Sequence, residues 1–222
     1  MARFARLVVP EYPHHITQRG VRSIDIFDHD DDRLAYLDFM REEAQRFGVT
    51  FLAWCLMSNH VHLIAVPSRA DSLARAIGEA HRRYTRMKNF AAGVRGYLFQ
   101  GRFGSCVLDQ QHLLAAGRYI ENNPVKAGIT ARATDYPWSS ARYQCGLTET
   151  DPLLRKRTLA QMVGDWSLFL QDEDSRLEAD LLQKTRTGRP AGSKEFIATL
   201  EKQVKRKLLP QKPGRPRRKK GK

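Results

Sequence analysis

Met57-Ser58-Asn59-His60-Val61-His62-Leu63-Ile64 is the stretch on which the reading of this chain turns. Two histidines flank one apolar residue, inside an apolar run that begins at Phe51-Leu52-Ala53-Trp54-Cys55-Leu56 and continues to Ala65-Val66-Pro67. A run so rich in β-branched and aromatic residues is predicted to be strand. Side chains alternate along a strand, so His60 and His62 face the same way, about 7 Å apart. Two neutral imidazoles side by side can hold one divalent cation, with Asn59 as a polar neighbour. The same pair also fits an ordinary half-solvated strand face, and the rest of the chain has to decide.

Met57-Ser58-Asn59 has the length of a tight connection between a strand over Val49 to Leu56 and the histidine strand over His60 to Val66. Upstream, His14-His15-Ile16-Thr17-Gln18-Arg19 lies between Pro13 and Gly20 and is predicted as a first strand. Asp28 to Asp32 supplies caps for a helix through Phe47, where Leu34, Leu37, Met40, Ala44 and Phe47 form an apolar stripe and Gly48 is the stop signal. Downstream, a helix over Ser72 to Asn89 carries Arg75, Arg82, Arg83, Arg86 and Lys88 on its polar side, which suits phosphate contacts and a solvated face equally. Tyr97 to Leu108 is predicted as a strand or hairpin, with Gly101 and Gly104 marking a bulge or a close backbone approach. Asp109 caps a helix over Gln110 to Asn122, and Pro124 ends it at Asn123. Tyr119 and Asn123, four residues apart, then share a face. Asp135-Tyr136-Pro137-Trp138-Ser139-Ser140 is a turn that closes the compact domain, with Trp138 as its anchor.

The 222 residues are 41% hydrophobic, enough for a packed core, and no stretch approaches the ~20 apolar residues that span a bilayer. The N-terminal residues carry no secretory pattern. Cys55, Cys106 and Cys145 are odd in number and widely spaced, so a disulfide framework is not expected and a reducing cytoplasm fits best. The net charge of +14 is unevenly placed: Arg186 to Lys222 holds 14 Lys and Arg against Glu195 and Glu201. A basic segment of that kind is the footprint of a nucleic-acid binder. Leu153 to Leu182 has helical periodicity for one or two helices. Gly188-Arg189-Pro190 and Gly214-Arg215-Pro216 follow, the second flanked by Arg217 and Arg218. Extended Gly-Arg-Pro between basic residues can lie along a narrow A·T-rich minor groove. The chain is thus expected to divide into a compact domain over 1–145, a helical extension over 146–185 and a flexible basic tail over 186–222 with AT-hook-like motifs.

Three stretches together carry a family resemblance: His15-Ile16-Thr17-Gln18-Arg19-Gly20, Trp54-Cys55-Leu56-Met57-Ser58-Asn59-His60-Val61-His62-Leu63, and Tyr119-Ile120-Glu121-Asn122-Asn123-Pro124-Val125-Lys126-Ala127-Gly128. Over residues 10 to 145 the chain resembles the single-tyrosine HUH transposases, above all the REP-associated tyrosine transposases. The resemblance implies an α+β fold, a ferredoxin-like α/β sandwich on a mainly antiparallel sheet, here with a helical and basic C-terminal extension. It implies His60, His62 and Asn123 as metal ligands for Mg²⁺ or Mn²⁺, and Tyr119 as the nucleophile of a single-stranded DNA endonuclease and strand transferase that works through a 5′-phosphotyrosine. The implied substrate is single-stranded DNA carrying a hairpin, a REP-like palindrome. Arg19, Arg82, Arg83, Arg102, Arg189, Arg215, Arg217 and Arg218 are the candidate DNA contacts. The resemblance further implies a monomer rather than a dimer, cytoplasmic and nucleoid-associated.

Two other readings compete. A non-catalytic DNA-binding regulator would retain the fold and tail, but the intact set of His60, His62 and Tyr119 speaks against it. A replication initiator or relaxase is disfavoured by the short chain and by the lack of a Gly-x-x-x-x-Gly-Lys-Ser/Thr loop.

Overall fold

Four strands follow one another through the chain with helices between them: β1 (His14–Arg19), α1 (Asp30–Phe47), β2 (Val49–Leu56), β3 (His60–Pro67), α2 (Ser72–Ala91) and β4 (Gly104–Val107). This computed structural model describes residues 6–172 and 174–209. The strands form one antiparallel sheet in the order β2-β3-β1-β4, the ferredoxin-like arrangement that the sequence implies. Five of these six elements lie where the sequence predicts them. The departure is at β4, because Gly101 takes a positive φ of 65° and breaks the extended path. Residues 97–103 therefore run as irregular backbone, tied to the sheet through a single bridge between Phe99 and Gly20.

Local chemistry explains the helix limits. The backbone N–H groups of Asp28 and His29 both donate to the Asp32 carboxylate, at 2.8 and 3.2 Å, which caps α1. Gly48 ends it in the left-handed region, and a Cβ there would lie 2.2 Å from the Ser68 hydroxyl.

The sheet separates two cores. On one face Ile16, Val61, Leu63 and Ala65 pack under α1 and α2 with Tyr36, Met40, Leu73 and Ile77. On the other, Ala53, Cys55, Ile64 and Cys106 pack under α3 (Gln110–Glu121), with Leu113, Ala116 and Ile120. Two short helices follow α3: α4 (Asn123–Lys126) and α5 (Ala141–Gln144). Between them Leu56 N–H donates to Trp138 O and Ser140 N–H to Trp54 O, so the Trp138 segment lies against the outer edge of β2, an anchor as expected.

The division of the chain differs from expectation. Residues 153–187 form three helices, α6 (Thr158–Val163), α7 (Trp166–Phe169) and α8 (Ser175–Thr187), the first two separated at Gly164, whose φ is 84°. Leu159, Trp166, Leu170 and Leu181 belong to the same core as Ile64 and Cys106, so these helices complete the domain rather than extend it. The physical reason is coverage: Leu159, Trp166, Leu170 and Leu181 join α3 in burying this apolar sheet face.

Folded structure also continues past residue 186. Gly188 is the left-handed cap of α8, Ala191 N–H donates to Val107 O beside β4, and α9 (Lys194–Val204) buries Ile197 and Leu200 against Leu7, Val9 and Val107. The stretch expected as a flexible tail is thus partly built into the domain. Gly214-Arg215-Pro216, Arg217 and Arg218 lie outside the described residues. No described helix is long and apolar enough to cross a membrane.

Two outcomes test this packing. A Cβ on Gly117 would approach Leu159 Cδ1 to 2.7 Å and the Trp166 ring to 3.0 Å, so Gly117→Ala should destabilise by about 1–3 kcal/mol in chemical denaturation. His81 is buried, meets the Tyr36 hydroxyl at 2.9 Å and is held by burial at a pKa of about 3 against 6.5 when unfolded. A depressed folded pKa gives stability present above 6.5 and lost as pH falls towards 3. His14 adds to the same slope, its pKa lowered to about 4 mainly by burial. His81→Gln should make the melting temperature fall less steeply over that window.

Candidate active site

Register places the histidines. In the antiparallel pairing of β1 with β3, Thr17 stands opposite His62 and Arg19 opposite His60. Alternation puts both histidines on the sheet face shared with Ile64, beneath α3. The turn before them is fixed from below: Gly20 N–H donates to Asn59 O at 2.9 Å and Ile26 N–H to Ser58 O at 2.8 Å. The His60 and His62 rings are 5.1 Å apart, nearly perpendicular.

Tyr119 reaches this pair from α3. Its ring meets His62 edge to face, with centroids 5.4 Å apart and planes at 88°. The helix ends at Asn122 as the sequence predicts, yet Asn123 is not lost from the site. Pro124 sits in the first turn of α4, where its missing N–H would have been unpaired anyway, so the chain continues helically. Asn123 Nδ2 donates to Tyr119 O at 3.3 Å, and its amide lies close enough to the Tyr119 phenol and to His60 to favour the charged form of each. Four residues from three elements, His60 and His62 of β3, Tyr119 of α3 and Asn123 of α4, are thus brought together.

The helix under Tyr119 is anchored from behind. The buried Glu121 carboxyl accepts from Ser140 Oγ at 2.6 Å on one oxygen and from Trp166 Nε1 at 2.6 Å on the other.

Burial dominates the electrostatics. It lowers the His60 pKa to about 4, with the Arg19 charge adding to the effect and Asn123 opposing it. His62 lies well below the usual histidine range, first through burial and then through the charges of His15, His60 and Arg19. Both imidazoles are therefore neutral at neutral pH and present lone pairs. Burial also raises the Tyr119 phenol; Glu178 adds to the rise, and Asn123 and Arg19 oppose it. The phenol is protonated at neutral pH and becomes a nucleophile only with a proton acceptor or an added positive charge beside it.

The donor set can be tested against a divalent ion. His60 Nδ1 meets Asn59 Oδ1 at 2.6 Å, a bond in which the amide oxygen can only accept, so Nδ1 carries the proton and Nε2 is a free lone pair. His62 and the Asn123 amide oxygen offer two more donors. Among the described residues no three His, Cys, Asp or Glu side chains converge on a point. Two imidazoles and one amide fit an ion that keeps positions open for phosphate oxygens and water.

The candidate DNA contacts are not all in one place. Arg19, exposed and without a side-chain partner among the described residues, acts on His60, His62 and Tyr119 through its charge. Arg82 is held by Glu79, at 2.8 and 2.5 Å. Arg83 is committed to Glu42 and Glu43, at 2.7 Å each, and clamps α2 to α1. Arg189 donates to Leu208 O inside the fold. Arg82 and Arg102 both line a cleft of about 760 Å³ between α2 and residues 94–103, together with Arg86, Arg95, Tyr97 and Phe103. Gln100 N–H donates to Arg19 O at 2.8 Å, so this cleft adjoins the Arg19 end of β1, which pairs with His60.

Sequence reasoning missed several neighbours. His15, quoted only as part of a motif, is buried against His62 with Nε2 to Nδ1 at 3.0 Å. Strand alternation was the available signal, since His15 and Thr17 share the face of His62. Lys126 Nζ lies 5.5 Å from the Tyr119 ring centroid and pairs with Glu178; its spacing of seven from Tyr119 on a helical segment could have found it. Nothing in the sequence points to Thr185, which closes on His15 from α8.

The family described as IS200-like transposase matches residues 9–123. A solved REP-associated tyrosine transposase bound to a REP hairpin superposes with a TM-score of 0.57 at 18% identity, covering 70% of this chain and 92% of its own; at that identity the likeness shows the fold. A Deinococcus radiodurans R1 protein described as a transposase aligns at 21% identity and a TM-score of 0.37, covering 55% of this chain and 97% of its own. The tRNA(His) guanylyltransferase of Saccharomyces cerevisiae aligns at 12% identity and 0.37, covering 84% and 82%. Neither of these two carries an argument. No curated protein matches the sequence.

Removing the Arg19 charge has a signed consequence. Arg19→Gln should raise the His60 pKa above its value of about 4. An NMR titration of metal-free protein reads this, and an unchanged value would place the Arg19 charge out of range.

Proposed function

The chain belongs to the IS200-like transposase family, and we propose that it cuts single-stranded DNA beside a hairpin and transfers the cut end through Tyr119. The observation that carries this reading is the contact of Tyr119 with His62, at 5.4 Å between centroids, with Asn123 bonded to the Tyr119 carbonyl one helical turn on.

The chemistry is a transesterification. The Tyr119 oxygen attacks phosphorus and loses its proton, the bond from phosphorus to the 3′ oxygen breaks, and the released 3′ hydroxyl takes up a proton. The DNA 5′ phosphate is then esterified to tyrosine, and attack by another 3′ hydroxyl reverses the step, so no nucleotide cofactor is needed. His60, His62 and Asn123 would hold Mg²⁺ or Mn²⁺, which supplies a Lewis acid for the phosphoryl oxygen. Arg19 places a positive charge where the phosphate enters, and Lys126 places another beside the Tyr119 ring. The Arg19 charge favours the developing phenolate, and Lys126 offsets the opposing charge of Glu178 with which it pairs.

For the substrate, the REP hairpin bound by the structural relative supports a folded single strand. The cleft beside Arg19 supports a path for its unpaired part: arginines suit the phosphates, and Tyr97 is exposed where a base can stack. The meeting of the histidines and the tyrosine within one chain supports a site that works in cis, and with it a monomer.

Two measurements check the proposal. With a labelled hairpin single strand and Mg²⁺ or Mn²⁺, a denaturing gel should show a protease-sensitive covalent adduct that vanishes in Tyr119→Phe and in His62→Ala. An adduct surviving Tyr119→Phe would falsify the nucleophile, and tight binding with no adduct would leave a non-catalytic DNA-binding protein. Separately, Arg95→Glu with Arg102→Glu should weaken single-strand binding and flatten its dependence on salt; an unchanged salt slope places the DNA elsewhere.

A further inference from the structure

Behind His62 a chain of hydrogen bonds leaves the site and ends in the C-terminal half of the protein. His62 Nδ1 meets His15 Nε2 at 3.0 Å, His15 Nδ1 meets Thr185 Oγ1 at 2.8 Å, and Thr185 Oγ1 donates to Leu181 O at 2.9 Å. The two rings are 4° from coplanar with centroids 5.3 Å apart. With a nitrogen–nitrogen contact so much shorter than the centroid separation, the rings lie edge to edge in one plane, the geometry of an N–H···N bond rather than of a stack.

The direction of these bonds follows from one end. The Leu181 carbonyl can only accept, so the single hydroxyl hydrogen of Thr185 points to it. Thr185 Oγ1 must then accept from His15 Nδ1–H. Both rings are buried, and a neutral imidazole carries one hydrogen, so His15 Nε2 is a lone pair. It accepts from His62 Nδ1–H, and His62 Nε2 is left as the free lone pair. The other tautomer of His62 would set two lone pairs against each other across 3.0 Å. Cys106 Sγ, 3.1 Å from Thr185 Oγ1, fills the hydroxyl's remaining acceptor position as an S–H donor.

We propose that His15 and Thr185 are positioning residues, which lock His62 in its Nδ1–H tautomer and so keep Nε2 available to a divalent cation. Helix α8 is then a working part of the site, although it lies more than a hundred residues beyond the histidine strand. This rests on His62 as a ligand. Partners of this kind typically change metal affinity by about 10–100-fold when removed.

The test uses the full chain. Long-range ¹H–¹⁵N NMR of metal-free protein reports which nitrogen of His62 carries hydrogen, and Mn²⁺ titration followed by electron paramagnetic resonance reports affinity. The native protein should show Nδ1–H. Thr185→Val, which keeps shape and loses the acceptor, should give mixed tautomers and about 10-fold or greater loss of Mn²⁺ affinity, and Thr185→Ser should restore both. An Nε2–H tautomer in the native protein overturns the proposal without any variant, as does a Thr185→Val protein with tautomer and affinity unchanged. If Mn²⁺ affinity also survives His62→Ala, it is the ligand reading that fails, and the tautomer measurement still decides the role of Thr185.

Discussion

The antiparallel register between β1 and β3 is the constraint from which the rest follows. It sets Thr17 against His62 and Arg19 against His60, so β3 brings its two histidines and β1 its exposed guanidinium to the same end of the sheet. A slip of one residue would turn His60 and His62 into the core under α1 and α2 and leave Val61 and Leu63 beneath α3. The apolar alternation of β3 forbids that slip, because Val61, Leu63 and Ala65 fill a closed core on the far face. Site geometry and hydrophobic burial are therefore enforced by the same pattern.

The sheet edge and the irregular segment after α2 divide the work between chemistry and grip. The Arg19 end of β1 is tied through Gln100 to a loop that carries Arg95, Tyr97 and Arg102 into a broad cleft. The loop has glycines at positive φ, at Gly93, Gly96 and Gly101, and few regular hydrogen bonds. The catalytic candidates sit on strand and helix, whereas Arg95 and Arg102 sit on the irregular backbone of this loop.

Much of this was legible in the sequence, for definite reasons. Period-two alternation around His60-Val61-His62 and the stop at Gly48 reported local preferences strong enough to survive folding. The pairing of Tyr119 with Asn123 followed from helical spacing, and Pro124 did not disturb it because a proline in a first turn costs no hydrogen bond. What was illegible depended on long-range packing. No local signal says that Trp166 and Leu181 cover the second sheet face, or that Arg189 is folded against Leu208 rather than free. Net charge alone suggested a tail, whereas Ile197 and Leu200, a helical turn apart, were the residues that mattered.

The doubly bonded Glu121 carboxyl has a consequence for how ends are exchanged. Ser140 and Trp166 hold it from two directions inside a closed core, only two residues from Tyr119. A helix moored in this way is a fixed post rather than an arm. Under the proposed chemistry, the end joined to Tyr119 stays where it was made, and the incoming 3′ hydroxyl must travel to it. The choreography of strand exchange is thereby assigned to the nucleic acid, with the protein as its stationary clamp.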